Sequence, residues 1–123
     1  MGQRLILFLD TPVLLRRLAQ PSTAESGADV QTGLLNLYEL VHLLIRQGKG
    51  KLAEEAYDRL SGVAQGLTRP RIFEASRLRA RLHDRGLSYA DAAGYVTARE
   101  LGAVFVTTDR GFAGLPGVKI VPM

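Results

Sequence analysis

Four acidic residues fall where alternating strands and helices would bring them to one place. Asp10 follows the apolar run Leu5–Leu9, and Asp109 comes just after the β-rich run Ala103–Thr107. Glu39 and Asp91 each lie in the first turn of an expected helix. In an open parallel sheet, ligands bind in the crevice beyond the carboxyl ends of the strands, and the following helices start from that same edge. The four carboxylates therefore share one crevice, although they are scattered along the chain.

Such a cluster is unstable unaided. Two like charges ~4 Å apart repel by roughly 4 kcal/mol at an effective dielectric near 20. Either protons or a cation must neutralise them. Hard oxygen donors without any cysteine, and with His42 and His83 outside the pattern, select Mg²⁺ or Mn²⁺ over Zn²⁺. A divalent ion held by carboxylates in a basic protein points to metal-assisted hydrolysis of a phosphodiester. Taken singly, the acids also have plainer explanations. Glu39 completes a capping-box spacing with Asn36, Asp91 favours a helix N-terminus, and Asp109 suits a turn. Asp10 resists this treatment, because an ionised group directly after a buried strand needs a reason to be there.

The elements that must position these acids follow from the hydropathy pattern. Leu5–Leu9 is a short, continuously apolar run, as in a strand buried on both faces of a parallel sheet. Thr11 reads as an N-cap with Pro12 at the first helical position, opening a short helix to Arg17 or Leu18. Residues 20–29 are small and polar, a loop, and a second apolar stretch covers Val30–Leu35. Asn36 then caps a helix with Leu37, Leu40, Val41, Leu44 and Ile45 on one face, stopping at Gly48. Lys51–Val63 is a second amphipathic helix, and residues 65–68 leave room for a very short strand. Pro70 starts an arginine-rich helix reaching Arg85, with Gly86 closing it. Ser88 with Asp91 opens a helix to Leu101, and Val118–Val121 is the last strand. This alternation predicts an α/β fold, a three-layer α/β/α sandwich around a mainly parallel sheet.

Composition narrows the function classes. At 123 residues the chain is expected to form one domain, residues 1–123, with a core that needs no staples. The absence of cysteine excludes disulfides, thiolate metal sites and cysteine nucleophiles, and is compatible with a reducing cytoplasmic setting. No apolar run approaches the ~18 residues of a membrane span, and Asp10 cuts the Leu5–Leu9 run short of a signal-peptide core. Sixteen basic against twelve acidic residues give a net charge of +4, and thirteen of the sixteen are arginine, whose planar fork suits phosphate. Gly48-Lys49-Gly50-Lys51 lacks the spaced signature of a phosphate loop and reads as a turn between helices.

These residues resemble the PIN domains and, within them, the VapC-type toxins of prokaryotic toxin–antitoxin pairs. Leu7-Phe8-Leu9-Asp10-Thr11 looks like the family's first motif and Asn36-Leu37-Tyr38-Glu39-Leu40 its second. Leu87-Ser88-Tyr89-Ala90-Asp91-Ala92 looks like the third, and Val106-Thr107-Thr108-Asp109-Arg110-Gly111-Phe112 the fourth. The motifs run from Leu7 to Phe112, so the resemblance covers nearly the whole chain. It implies that Asp10, Glu39, Asp91 and Asp109 are catalytic and bind Mg²⁺ or Mn²⁺. It further implies that the Thr107 hydroxyl orients those acids, with Asn36 a polar neighbour. One position departs: Pro12 stands where the family usually has serine or a similar small residue, removing a hydroxyl and an N–H beside Asp10. The resemblance also implies a homodimer and a small antitoxin partner whose tail crosses the site.

The expected activity is a metal-dependent endoribonuclease acting on unpaired RNA, because a crevice admits single strands more readily than duplex. Arg16, Arg17, Arg46, Lys49 and Lys51 are candidate RNA contacts. Arg77, Arg81 and Arg85 share a face of the arginine-rich helix, which reads more simply as a solvated face. Rival readings are a housekeeping RNA-processing nuclease and an inert PIN-like module that binds RNA or protein. A phospho-receiver domain is a third rival, but it needs an acidic pair after strand one and a lysine after a late strand. Here Asp10 is followed by Thr11 and Pro12, and Lys119 comes too late.

Overall fold

The computed structural model describes residues 4–19 and 28–123. Its strands are β1 (Ile6–Leu9), β2 (Asp29–Gly33), β3 (Ala64–Gln65), β4 (Val104–Thr107) and β5 (Val118–Ile120). Its helices are α1 (Thr11–Ala19), α2 (Leu34–Arg46), α3 (Gly50–Leu60), α4 (Arg69–Arg81) and α5 (Tyr89–Leu101). All strand pairs are parallel, in the order β3-β2-β1-β4-β5. The expected loop at residues 20–29 lies mostly outside the described residues, and its last member, Asp29, already belongs to β2.

Side-chain alternation on the central strands splits the core in two. Leu7 and Leu9 of β1 and Val106 of β4 point to the face covered by α1, α2 and α3, where they meet Leu14, Leu40, Leu44, Ala53 and Ala56. Phe8 and Phe105 point to the opposite face and pack with Ala75 and Leu78 of α4, Ala92, Tyr95 and Ala98 of α5, and Phe112. Phe105 and Phe112 approach to 4.9 Å between ring centroids. The three layers follow from right-handed crossovers: connections leading outward from β1 to β3 keep one face, and the return to β4 takes the other.

Several boundaries differ from the sequence reading, each for a local reason. Asn36 and Glu39 are not a capping box. Helix α2 begins two residues before Asn36, with Gly33 at its N-cap and no side-chain cap, which puts Glu39 in the second turn. Thr11 is the first residue of α1 rather than its cap, since the Val13 N–H bonds the Asp10 carboxylate instead. The second amphipathic helix ends at Leu60 and tightens into a 3₁₀ turn over Ser61–Val63, so β3 falls at Ala64–Gln65, not 65–68. Helix α4 is capped by the Thr68 hydroxyl and ends at Arg81. A 3₁₀ turn, His83–Arg85, and left-handed Gly86 follow, so Arg85 does not continue the face of Arg77 and Arg81. No helix among the described residues is long and apolar enough to cross a membrane.

Candidate active site at the sheet switch point

The chain runs outward from β1 through β2 to β3 and then returns to place β4 on the other side of β1. The strand order therefore reverses between β1 and β4, the position where parallel α/β sheets open a ligand crevice. Asp10 is the first residue beyond β1, and its N–H still donates to the Val106 carbonyl at 3.2 Å. Its carboxylate is buried, 1% exposed. Oδ1 accepts the Val13 N–H at 3.2 Å, and Oδ2 accepts the Thr107 hydroxyl. Burial raises the pKa of Asp10, and the charge of Asp109 adds to it. The hydrogen bonds from Thr107, Val13 and the Thr108 backbone pull the other way. Pro12 offers Asp10 no N–H, and the backbone hydrogen bond from α1 to its carboxylate comes from Val13.

Thr107 is a hinge between two acids. Its hydroxyl donates to Asp10 and accepts the Asp109 N–H at 3.0 Å. Asp109 in turn accepts the Gly111 N–H at 2.8 Å, which turns its carboxylate over the start of a 3₁₀ segment, Arg110–Phe112. Space favours glycine there. A Cβ on Gly111 would sit 3.0 Å from Asp109 Oδ1, 3.0 Å from Leu87 Cδ2 and 3.2 Å from the Arg85 carbonyl.

Asp91 enters from α5, whose first turn is capped by Ser88, the Asp91 N–H donating to Ser88 Oγ at 3.0 Å. Its pKa is pushed up to about 7. Burial is the largest cause, followed by the charge of Asp10, with smaller contributions from Glu39 and Asp109, while Ser88 acts in the opposite direction. Asp91 therefore lies in the field of the other three acids, and Asp10 in that of Asp109. Glu39 stands at the exposed rim of the group, where its Oε1 accepts the Thr11 hydroxyl at 3.0 Å.

Thr11 is the residue that sequence reasoning missed. Its hydroxyl oxygen accepts from Asn36 Nδ2 at 3.3 Å and lies 3.3 Å from the Asn36 carbonyl, so it joins the chain after Asp10 to the helix carrying Glu39. The adjacency of Thr11 to Asp10 is the available signal, but in sequence it is indistinguishable from helix capping. Asn36 is fully buried, and its Oδ1 has no hydrogen-bond partner. Gly33 and Gly94 leave the space that this amide oxygen occupies, with Cβ positions 2.7 and 3.3 Å from it.

Among the described residues, none of the four acids forms an ion pair. No three of them stand close enough to clasp one ion directly. The donor set nevertheless suits a hydrated hard cation. Mg²⁺ commonly keeps several waters and uses only one or two carboxylates, and here all the donors are oxygen and their charge is uncompensated. The expected RNA contacts lie elsewhere: Arg16 and Arg17 in the last turn of α1, Arg46 in the last turn of α2, and Lys49 and Lys51 at the start of α3. These are helix ends remote from the edge where α1 and α2 begin. Much of the arginine-rich segment has structural work instead: Arg71 grips Glu100, Arg79 donates to the Leu87 carbonyl, and Arg85 to those of Gly111 and Ala113.

The PIN domain family model matches residues 7–118, and the chain belongs to that family. Solved structures share the fold. VapC20 of Mycobacterium tuberculosis, a toxin cleaving the sarcin–ricin loop, is 21% identical with a TM-score of 0.74, over 94% of this chain and 99% of that one. A toxin–antitoxin complex from Klebsiella pneumoniae gives 17% identity and a TM-score of 0.73, over 95% and 99% of the two chains. VapBC2 from Rickettsia felis, bound to a DNA fragment from its promoter, gives 15% and 0.69, over 97% and 99%. No curated protein sequence matches the chain.

Proposed function

We propose that this chain is a divalent-metal-dependent endoribonuclease, the toxin of a VapBC-type pair, with Asp10, Glu39, Asp91 and Asp109 as its metal-holding catalytic group. The observation that carries this reading is the set of mutually repelling acids, without a counter-cation, at the switch point of a parallel sheet. A structural cluster would be expected to include a lysine or arginine. Mg²⁺ or Mn²⁺ bound there supplies Lewis-acid polarisation of a phosphate and a water acidic enough to ionise near neutral pH.

The protein's own part is placement. Thr107 fixes the rotamer of Asp10, Gly111 that of Asp109 and Thr11 that of Glu39, so the carboxylates are oriented before substrate arrives. Asp91 holds a proton on its carboxyl up to about neutral pH and releases it when positive charge enters the group. In-line attack on the phosphodiester would leave a 5′-phosphate and a 3′-hydroxyl. Arg16, Arg17, Arg46, Lys49 and Lys51 would attract RNA through their field rather than touch the scissile phosphate. The toxin reading adds a small antitoxin, a homodimer and a cytoplasmic setting, supported by the likeness in fold to toxin–antitoxin complexes.

The direct test is cleavage of unpaired RNA with Mn²⁺. Asp91→Asn should lose about a thousandfold in rate while retaining the parent's circular dichroism. Undiminished cleavage in that variant, or in excess chelator, removes the metal-nuclease reading.

A further inference from the structure

Tyr89 opens α5 two residues before Asp91, so the two Cα atoms lie within one helical turn. Positions two apart on a helix face nearly opposite sides. Asp91 turns in toward the other acids, and Tyr89 turns out toward the end of α4. The residue is 74% exposed, yet its ring is braced. The Arg79 guanidinium carbon lies 3.8 Å from the ring centroid, and Arg79 Nε donates to the Leu87 carbonyl at 2.9 Å. Leu87 is itself buried, and Arg85 ties the same loop to the Gly111 and Ala113 carbonyls at 3.2 and 2.9 Å.

Beside the ring, Ser76, Arg79, His83, Leu87 and Tyr89 line a shallow recess with no carboxylate in its wall. An aromatic face, a guanidinium, a hydroxyl and an imidazole form a set that suits an unpaired base, with the ring to stack on and the polar groups for its edge. An acidic peptide fits less well. Arg79 spends one face on Tyr89 and its Nε on Leu87, so what the site presents is mainly the ring. Bracing also lowers the entropy cost of stacking, because the ring is fixed before a base arrives.

We infer that Tyr89, held by Arg79, is a stacking platform for one unpaired base of the RNA, flanking the nucleotide whose phosphate enters the acid group. This rests on the ribonuclease reading and adds a binding subsite to it. Tyr89 is then a binding residue and Arg79 a positioning residue.

The chain contains no tryptophan, so Tyr89→Trp creates a single fluorescent reporter. Placed in an Asp91→Asn background and titrated with an unpaired octaadenylate in chelator, it should be quenched in a saturable manner. Tyr89→Ala in the same background should bind the octamer about tenfold more weakly. Tyr89→Leu, which keeps apolar bulk without a π face, should show the same loss and covers the case of an unstable alanine variant. An octamer with one abasic position should lose a similar factor against Tyr89 and nothing further against Tyr89→Ala. Absence of quenching, or equal affinity of the alanine and leucine variants with the parent, overturns the platform. The nuclease reading fails separately, if the parent chain with Mn²⁺ hydrolyses no RNA.

Discussion

Arg71 and Asp10 are both charged side chains taken out of water by the fold, and they are accommodated in different ways. The Arg71 guanidinium makes two bonds of 2.9 Å to the Glu100 carboxylate and a third, also 2.9 Å, to the Gly66 carbonyl. That bidentate bond holds the Glu100 pKa below its usual range. At the other end of α5, Asp10 and Asp91 receive hydrogen bonds but no cation, and their pKa values rise. The first arrangement is electrostatically complete in the folded chain alone. The second is left open, and an open charge maintained inside a fold marks the place where something else binds.

That contrast can be broken in several ways, the largest through pH. The folded chain keeps a proton on Asp91 up to about pH 7, whereas the unfolded chain releases it near 3.8. Folding stability of the metal-free protein therefore falls as pH climbs between those values and levels off above them. Asp91→Asn removes this penalty and should gain up to about 3 kcal/mol on the parent between pH 4 and pH 8 in denaturant titrations. Saturating Mn²⁺ should stabilise the parent more at pH 8 than at pH 6, because protons compete with the ion. A stability difference between variant and parent that does not change with pH would mean the acids do not share a field.

The completed pair should behave oppositely. Arg71→Ala should cost about 2 kcal/mol in chemical denaturation, since it strips packing as well as a half-exposed ion pair. Mn²⁺ affinity should be unchanged, and a parallel loss of metal binding would merge the two regions into one. Thr107→Val keeps shape but deletes the hydroxyl shared by Asp10 and Asp109, and should weaken Mn²⁺ binding about tenfold by calorimetry. Gly111→Ala should have the smallest effect, a few-fold, because its new methyl only presses the Asp109 carboxylate and Leu87 from 3.0 Å. An effect of Gly111→Ala larger than that of Thr107→Val would shift the emphasis from hydrogen bonding to shape.

The layered architecture was legible because it rests on local pattern: the apolar runs of β1 and β4, the helix periodicity between them, and the glycines that stop α2 and α5. The edge location of the acids followed from topology alone. What stayed hidden depends on contacts between distant segments. Asn36 and Glu39 have the i, i+3 spacing of a capping box, but the same spacing serves two side chains turned toward Thr11. Gly33, whose Cβ would strike the Asn36 amide oxygen at 2.7 Å, decides between them, and no local propensity reports that collision. Likewise, the arginine-rich segment looks like a single long helix in sequence. It ends at Arg81, and the 3₁₀ turn and left-handed Gly86 that follow accompany bonds from Arg79 and Arg85 to carbonyls of later loops, contacts that no local pattern reports.

The position of β1 at the middle of the sheet has a consequence for how the molecule is made. Leu7 pairs with Val30 on one side but must wait for Val104 on the other. The second pairing closes by far the larger loop, so docking of β4 is the non-local step of folding with the larger entropic cost. A partly synthesised chain ending before β4 carries Asp10, Glu39 and Asp91 but has neither the Thr107 hydroxyl nor Asp109. The four acids are therefore gathered at one edge only when β4 docks against β1, so closure of the sheet and completion of the acid group are one and the same folding event.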